Sequence, residues 1–318
     1  MKILLIHCHY RLPGGEDAVF AAERALLERR GHTVLVYERS NEEAAHGLAK
    51  ALLPLHAVWN RRAAREVRDL IRREGVEAVH IHNTLLLLSP AVVRAAKRCG
   101  VPVVQTLHNF RLFCPNGILL RDGAVCEDCP RRGLHCALRH RCYRGSLAQT
   151  LVVAASYRLH RALGSWRGVW VTTPTAFDRE KLLAFNRLRP TFDENRLVVK
   201  PNPVNVPAGP VIPWEERDRR FVFAGRLEEL KGLRTVIEAW RLLGDTAPEL
   251  LIAGDGPLAD WARAQALPRV RFLGQLERAE LHRLIGASYA VIAASLCYES
   301  FALVPAEAHA LGTPVLAS

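Results

Sequence analysis

No stretch of this 318-residue chain approaches the ~20 consecutive apolar residues that a membrane-spanning helix requires. The amino terminus, "MKILLIHCHY", also lacks a secretory leader: its apolar run is too short and no small-residue cleavage site follows. A cytoplasmic protein is therefore expected. No G-x-G-x-x-G follows the first apolar run, because "PGGEDAV" has the wrong spacing, which argues against a dinucleotide-dependent oxidoreductase. Acidic residues are in deficit, with 32 Asp and Glu against 44 Lys and Arg, a formal net charge of +12. Arginine-rich patches lie at 60–74 and 131–145. Such a basic balance fits nucleic acid, anionic lipid or phosphorylated ligands, and equally the codon bias of a GC-rich genome. Charge alone selects none of these.

What is present is globular. Hydrophobic residues make up 49% and charged residues 24%, enough apolar material for two cores of ordinary size. "KILLIHC" is a continuous apolar run, as in a strand buried on both faces. A helix through "AVFAAERALLERR", Gly31 as a stop and the strand "TVLVYE" follow. A helix around 60–73, the strand "AVHIHN", the helix "PAVVRAAKRCG" and the strand "PVVQTLHN" continue the alternation. A helix "SLAQTLVVAASYRLHRALGSW" and a strand "GVWVTTP" come later. Proline-rich residues 198–218 close the first pattern, their latter part read as a linker, and a second one starts at "RRFVFAGRL". Alternation of this kind predicts two α/β domains, each a doubly wound parallel sheet, facing across a cleft. The boundaries expected are 1–205, a linker over 206–218, and 219–318.

In the second half, "FVFAGRLEELKGL" ends a strand at Gly225, whose missing side chain lets a ligand approach. Arg226 and Lys231 then flank a helix amino terminus, where fixed N–H groups and two cations suit a diphosphate. "LLIAGDGPL" places Gly254 at another strand end, which ordinary turn chemistry also explains. Beyond the strand "YAVIAAS", Glu299 precedes a helix expected from about Phe301 to Leu311, with Pro305 near its first turn. That helix is apolar on nearly every side and so expected to be buried. A carboxylate within it, Glu307, is costly unless hydrogen-bonded. Either a nearby arginine pairs with it, or it holds a ligand's hydroxyl pair while Glu299 addresses another polar part of the ligand. The N–H groups of Phe301, Ala302 and Leu303 would face a phosphate between them.

The ordered set "GRL…KG", "GDGP" and Glu299–x7–Glu307 resembles the donor half of retaining glycosyltransferases of the GT-B fold, in the large family numbered four. "PGGED", "HIHN", "TLHN" and "PNPVN" resemble the family's first-domain segments in the same order, so the similarity covers essentially the whole chain. The resemblance implies two Rossmann-like domains and a nucleotide-sugar donor, UDP- or GDP-linked. It implies that Arg226 and Lys231 bind the diphosphate, Glu307 the ribose hydroxyls and Glu299 the sugar hydroxyls. His108 would face the sugar, and Gly14 and Gly15 would approach phosphate or acceptor. His80 and His82 read as structural. The family departs from this sequence at Ala302, where glycine is usual. It also normally continues past Ser318, so a C-terminally truncated second domain is expected.

Residues 111–145 show no helix or strand period but hold five cysteines. The spacing Cys126–x–x–Cys129 suits two thiolates on one tetrahedral ion, and disulfides are disfavoured in a reducing compartment. Structural zinc is expected, with no catalytic metal. A cysteine-rich subset of the same family implies Cys114, Cys126, Cys129 and Cys142 as ligands, with Cys136 spare. Family acceptors are glycans or lipid-linked glycans, and the basic first domain fits peripheral binding to an anionic membrane surface. A zinc-bearing nucleic-acid-binding protein explains the charge and cysteines but not the buried Glu307, so no nucleic acid is expected. A sugar-nucleotide epimerase shares the architecture and remains a rival.

Overall fold

The computed structural model describes residues 1–11, 14–44, 47–207 and 209–318. Pro13 of the "PGGED" segment lies outside them. The chain packs into two compact units, Met1–Arg121 with Cys126–Pro203, and Asp122–Val125 with Val204–Ser318.

The first unit runs β1 (Lys2–His9), α1 (Gly15–Arg29), β2 (Thr33–Ser40), α2 (Gly47–Val58), α3 (Arg61–Glu74), β3 (Ala78–Ile81), α4 (Ala91–Lys97) and β4 (Val103–Thr106). A two-residue strand, β5 (Leu120–Arg121), and two short helices, α5 (Asp128–Arg132) and α6 (His135–Arg139), follow; β6 (Ala124–Val125), also two residues long, falls in the second unit. The cysteine segment is thus not devoid of regular structure as the sequence suggests; its elements are simply too short to show a period. α7 (Leu147–Ala162), β7 (Trp170–Thr173), α8 (Ala176–Leu188) and β8 (Leu197–Val199) complete the unit. The sheet is parallel, in order β2-β1-β3-β4-β7-β8. All six central residues of β1 are buried, as a strand covered on both faces demands. α3 shows how charge and core divide. Ala63, Val67 and Ile71 face inward, Asn60 caps the amino end by accepting from Ala63 N at 2.9 Å, and Gly75 closes the other end at φ 62°. Its arginines form a solvated face, Arg62 pairing with Glu66 one turn on.

The second unit runs β9 (Asp218–Ala224), α9 (Leu233–Leu243), β10 (Glu249–Ala253), α10 (Ala259–Arg263), β11 (Val270–Gly274), α11 (Arg278–Gly286), β12 (Ser288–Ala293), α12 (Leu303–Ala310) and β13 (Val315–Ala317). Its parallel sheet has the order β11-β10-β9-β12-β13. Strand periodicity splits the core. Phe223, Leu250 and Ile252 pack under α9, whose Leu233, Val236, Ile237 and Trp240 are buried at helical spacing. Val222, Leu251 and Val291 point to the other face, against Ile285 and Ala308. Each such side chain fully buried stabilises the fold by about 1.5–3 kcal/mol.

Three differences from the sequence reading matter. α12 starts at Leu303, not Phe301, and only Glu307 and Ala308 in it are buried, because α11 and the sheet cover one side of it. Residues 211–217 do not run free as a linker. Trp214 stacks on Tyr289 at 4.3 Å, and the buried Arg217 guanidinium donates to the carbonyls of Ile212 and Gly312 and to Thr313 Oγ1, each at 2.9 Å. Gly254 has a packing reason to be glycine. At φ 135°, an added Cβ would lie 1.9 Å from the carbonyl oxygen of Gly225.

Candidate functional site

In both sheets the strand order reverses beside the first strand of the unit, and crevices at the carboxyl ends of such strands are where doubly wound sheets bind ligands. In the second unit the reversal lies at β9, between β10 and β12. Gly225 follows β9 directly; a Cβ there would meet nothing within 4 Å, although φ is 140°. Arg226 is half exposed, with its Nε 3.4 Å from Glu228. Lys231 ends a short 3-10 turn, Glu229–Lys231, that leads through Gly232 into α9. Its Nζ contacts both carboxylate oxygens of Glu299 at 2.8 and 2.7 Å, and Ser295 Oγ donates to the same group at 2.6 Å. Burial opposes ionisation of Glu299, but the Lys231 ammonium and these hydrogen bonds outweigh it and hold the carboxyl below the usual range. The structure thus joins Lys231 and Glu299, two residues that the sequence assigned to different parts of a ligand.

Glu307 follows a similar pattern. Its Oε1 accepts from Arg278 and lies 3.5 Å from His282 Nε2, so the arginine partner anticipated as the plainer reading is present. Arg278 and His282 are one turn apart on α11, a spacing that could have singled them out. At the start of α12, Phe301 lies outside the helix, Ala302 is the cap and Leu303 the first helical residue. Pro305 has no N–H, so the first turn offers the donors of Leu303 and Val304.

In the first unit, polar residues gather at the ends of β1, β3 and β4. Gly14 N–H donates to Asp17 Oδ2 at 2.7 Å, and Gly15 opens α1. Asp17 Oδ1 lies 3.0 Å from His7 Nε2 and 2.6 Å from His9 Nδ1. These three offer ligand atoms within 4.8 Å of one another, a set that suits a divalent cation. Against that use, His7 Nδ1 is buried without a partner, so the orienting contact that a metal-bound imidazole normally makes is missing. Next to them Glu23, on α1, sits between His80, His82 and Lys200, and His82 Nδ1 lies 3.0 Å from His108 Nε2. The Lys200 ammonium already supplies the cation there. A cavity beside His108 is lined by Glu16, His82, Asn109, Arg111 and Tyr157. Asn109 Nδ2 donates to Glu16 Oε1 at 2.9 Å. Glu16, Asp17, Glu23 and Lys200 carry this site, yet the sequence reading assigned none of them.

Burial pushes His80 and His82 down to about 4 and His108 to about 3, with the neighbouring histidines adding to the effect on His82 and His108. In the unfolded chain these rings take up protons near pH 6.5. Between about pH 6.5 and 4 the unfolded chain therefore binds more protons than the folded one, and stability falls as pH drops through that window. The thermal midpoint is expected to decline over this range, less steeply in His108→Asn; equal slopes would contradict the buried neutral cluster.

In the cysteine segment a hydrogen bond from the Cys129 thiol, with backbone N–H groups of Gly117, Asn116 and Leu119, lowers Cys114 to about 7 against its burial. Cys129 is raised in turn, and Cys142 lies within its electrostatic reach. The Cys126 thiol donates to Asp128, and Cys126 and Cys142 lie within electrostatic reach of Arg121. Cys136 packs with Cys129 and Ala137 in an apolar cluster. Cys114, Cys126, Cys129 and Cys136 are free thiols.

Residues 14–203 match the family of glycosyl transferase 4-like domains, and residues 218–318 match the glycosyl transferases group 1 family. A glycogen synthase of Mycobacterium tuberculosis is 40% identical over 105 residues, 31% of this chain and 25% of that protein. An uncharacterised glycosyltransferase of Methanocaldococcus jannaschii is 24% identical over 351 aligned positions, covering 100% of this chain and 80% of the relative. Among solved structures, Anabaena HepE in complex with UDP and glucose superposes with a TM-score of 0.53 at 17% identity, over 100% of this chain and 80% of that one. That likeness establishes the GT-B fold. Among the described residues no helix is long and apolar enough to cross a membrane.

Proposed function

Because this chain belongs to the group 1 glycosyltransferases, we propose that it moves a sugar from a UDP- or GDP-linked donor to a glycan or lipid-linked acceptor, with retention of configuration. The observation that carries the donor site is the Lys231–Glu299 pair at the reversal of the second sheet, beside the open backbone of Gly225. Breaking a glycosyl–phosphate bond builds negative charge on the departing diphosphate and positive charge on the sugar. Lys231, Arg226 and the Leu303 and Val304 N–H groups stabilise the former, the dominant contribution in catalysis of this type. Glu299, already ionised, accepts from the sugar hydroxyls. Glu307 uses one carboxylate oxygen for Arg278 and His282 and offers the other to the ribose. His108 is, by the family resemblance, a further residue that contacts the transferred sugar.

Zinc, in this proposal, is structural. Cys114, Cys126, Cys129 and Cys142 are the ligands. Among the described residues the groups whose ligand atoms converge within 4.8 Å are histidine–carboxylate sets and not these cysteines, and the Cys114 thiol donates to Asn116 Oδ1 at 2.9 Å, so the four sulfurs would have to draw together on a bound ion; a filled tetrahedral shell would then leave no position for substrate.

Thermal shift with a panel of nucleotide sugars tests the donor site. At a hundredfold excess over Kd a true donor adds about 2.7 kcal/mol of stability, a shift of several degrees. Glu307→Ala is expected to lose most of it, and a variant that responds like the parent would remove Glu307 from the ribose. Product analysis separates the epimerase rival, which alters the donor without an acceptor.

A further inference from the structure

The buried carboxylate of Glu23 is the meeting point of three other segments. Its Oε1 accepts from Lys200 Nζ. Its Oε2 lies 3.2 Å from His80 Nδ1 and 3.4 Å from His82 Nε2, the latter a close electrostatic contact without hydrogen-bond geometry, which leaves Glu23 the nearest acceptor that this buried ring nitrogen has. The side chain is only 5% exposed, so these nitrogens, not water, compensate its charge. A nitrogen lone pair aimed at a buried carboxylate oxygen is repelled, whereas an N–H is attracted. Both rings are therefore protonated on the side facing Glu23. The remaining nitrogen of His80 then accepts from the Thr106 hydroxyl at 2.8 Å, which accepts from Thr172 at 2.8 Å, and that chain closes without conflict. The remaining nitrogen of His82, Nδ1, has His108 Nε2 at 3.0 Å. Two neutral imidazoles hold one proton across such a contact. With Nδ1 of His82 bare, that proton belongs to Nε2 of His108.

We propose that Glu23, acting through His82, fixes His108 as its Nε2–H tautomer, so that a sugar hydroxyl meets an unprotonated Nδ1 on a neutral ring. The role of the hydroxyl rests on the glycosyl-transfer reading above; the tautomer does not. Glu23 and His82 are positioning residues, and of these three only His108 contacts the sugar. The arrangement differs from a lone strand-end histidine in one respect: its hydrogen-bonding polarity is set from α1, by a residue that never reaches the substrate.

Charge and polarity can be separated by substitution. In Glu23→Gln, Lys200 keeps the amide oxygen, so the NH2 group turns toward His80 and His82. Donor then faces donor, and His82 must move its proton to Nδ1. His108 must follow, becoming the Nδ1–H tautomer. Glu23→Asp keeps the charge and should keep the original tautomer.

Long-range 1H–15N spectra of 15N-histidine-labelled protein read each tautomer, with the His108 signals identified as those missing from His108→Gln. The parent and Glu23→Asp are expected to show His108 protonated at Nε2, and Glu23→Gln to show it at Nδ1. With a turned-over nucleotide sugar, Glu23→Gln is expected to lower kcat on the order of 10²-fold, leaving KM for the donor unchanged. A parent His108 protonated at Nδ1, or one tautomer shared by the parent and Glu23→Gln, overturns the proposal. If Glu23→Gln does not fold, the parent spectrum alone decides. An Nε2–H parent that turns over no nucleotide sugar supports the relay and sinks the glycosyl-transfer reading.

Discussion

Lys231→Ala is expected to lower kcat/KM for sugar transfer by roughly 10²–10³, the usual cost of removing one preorganised group that meets charge developing in the transition state. The loss has two parts. The departing diphosphate loses a cation, and Glu299 loses the ammonium that neutralises it, so a carboxylate then confronts the phosphates. Stability changes far less, because Lys231 and Glu299 are each about one-third exposed and such pairs contribute about 1 kcal/mol or less. A steady-state assay beside a melting curve thus separates chemistry from folding. Lys231→Arg, with a different shape and the same charge, should recover part of the rate. A Lys231→Ala protein transferring sugar at the parental rate would remove the lysine from the reaction.

The second large effect concerns the cysteine segment. The purified chain is expected to carry one zinc, and Cys114→Ser or Cys129→Ser to release it, as counted by elemental analysis. α5 and α6 have five residues each, far below the length at which a helix persists unaided. A metal held by four thiolates supplies on the order of 10 kcal/mol of apparent binding energy to structures of this kind. Chelation should therefore lower the melting midpoint and open the segment to proteolysis. Cys136→Ser is the informative control. That residue packs in the apolar cluster of Cys129 and Ala137, so its substitution should cost some stability and leave the zinc in place. Loss of metal in Cys136→Ser, with retention in Cys142→Ser, would exchange the two ligands.

Residues differed in how much of this they disclosed. β1 was legible because a strand covered on both faces must be continuously apolar, whereas β9 was legible only over residues 221–224, its first three residues, 218–220, being polar. α2 was not, since Pro54 lies inside it and a proline ordinarily ends a helical pattern. The glycines after β9 and β10 were visible as strand ends, but nothing local told Gly225, which has open space, from Gly254, which packs on a carbonyl. Lys231 and Glu299 were each visible as polar residues at strand ends, but their pairing depends on β9 and β12 lying side by side, a property of strand order. The same holds for Glu23, which reads as one acid among many along an amphipathic helix. Its three partners come from β3, the turn after it and the end of β8, and only the folded sheet brings them to one carboxylate.

The strand order of the second unit also has a meaning in time. β9 is made first but sits inside, paired with β10 on one edge and β12 on the other. While the chain grows, one edge of β9 finds its neighbour after a single helix, and the other stays unpaired until Ser288–Ala293 has emerged. Until then the backbone groups of Phe221 and Val222 on that side have no strand to bond. Glu299 follows β12 in the chain, so the Lys231–Glu299 contact of the candidate donor site cannot form before the strand that closes this edge has been made.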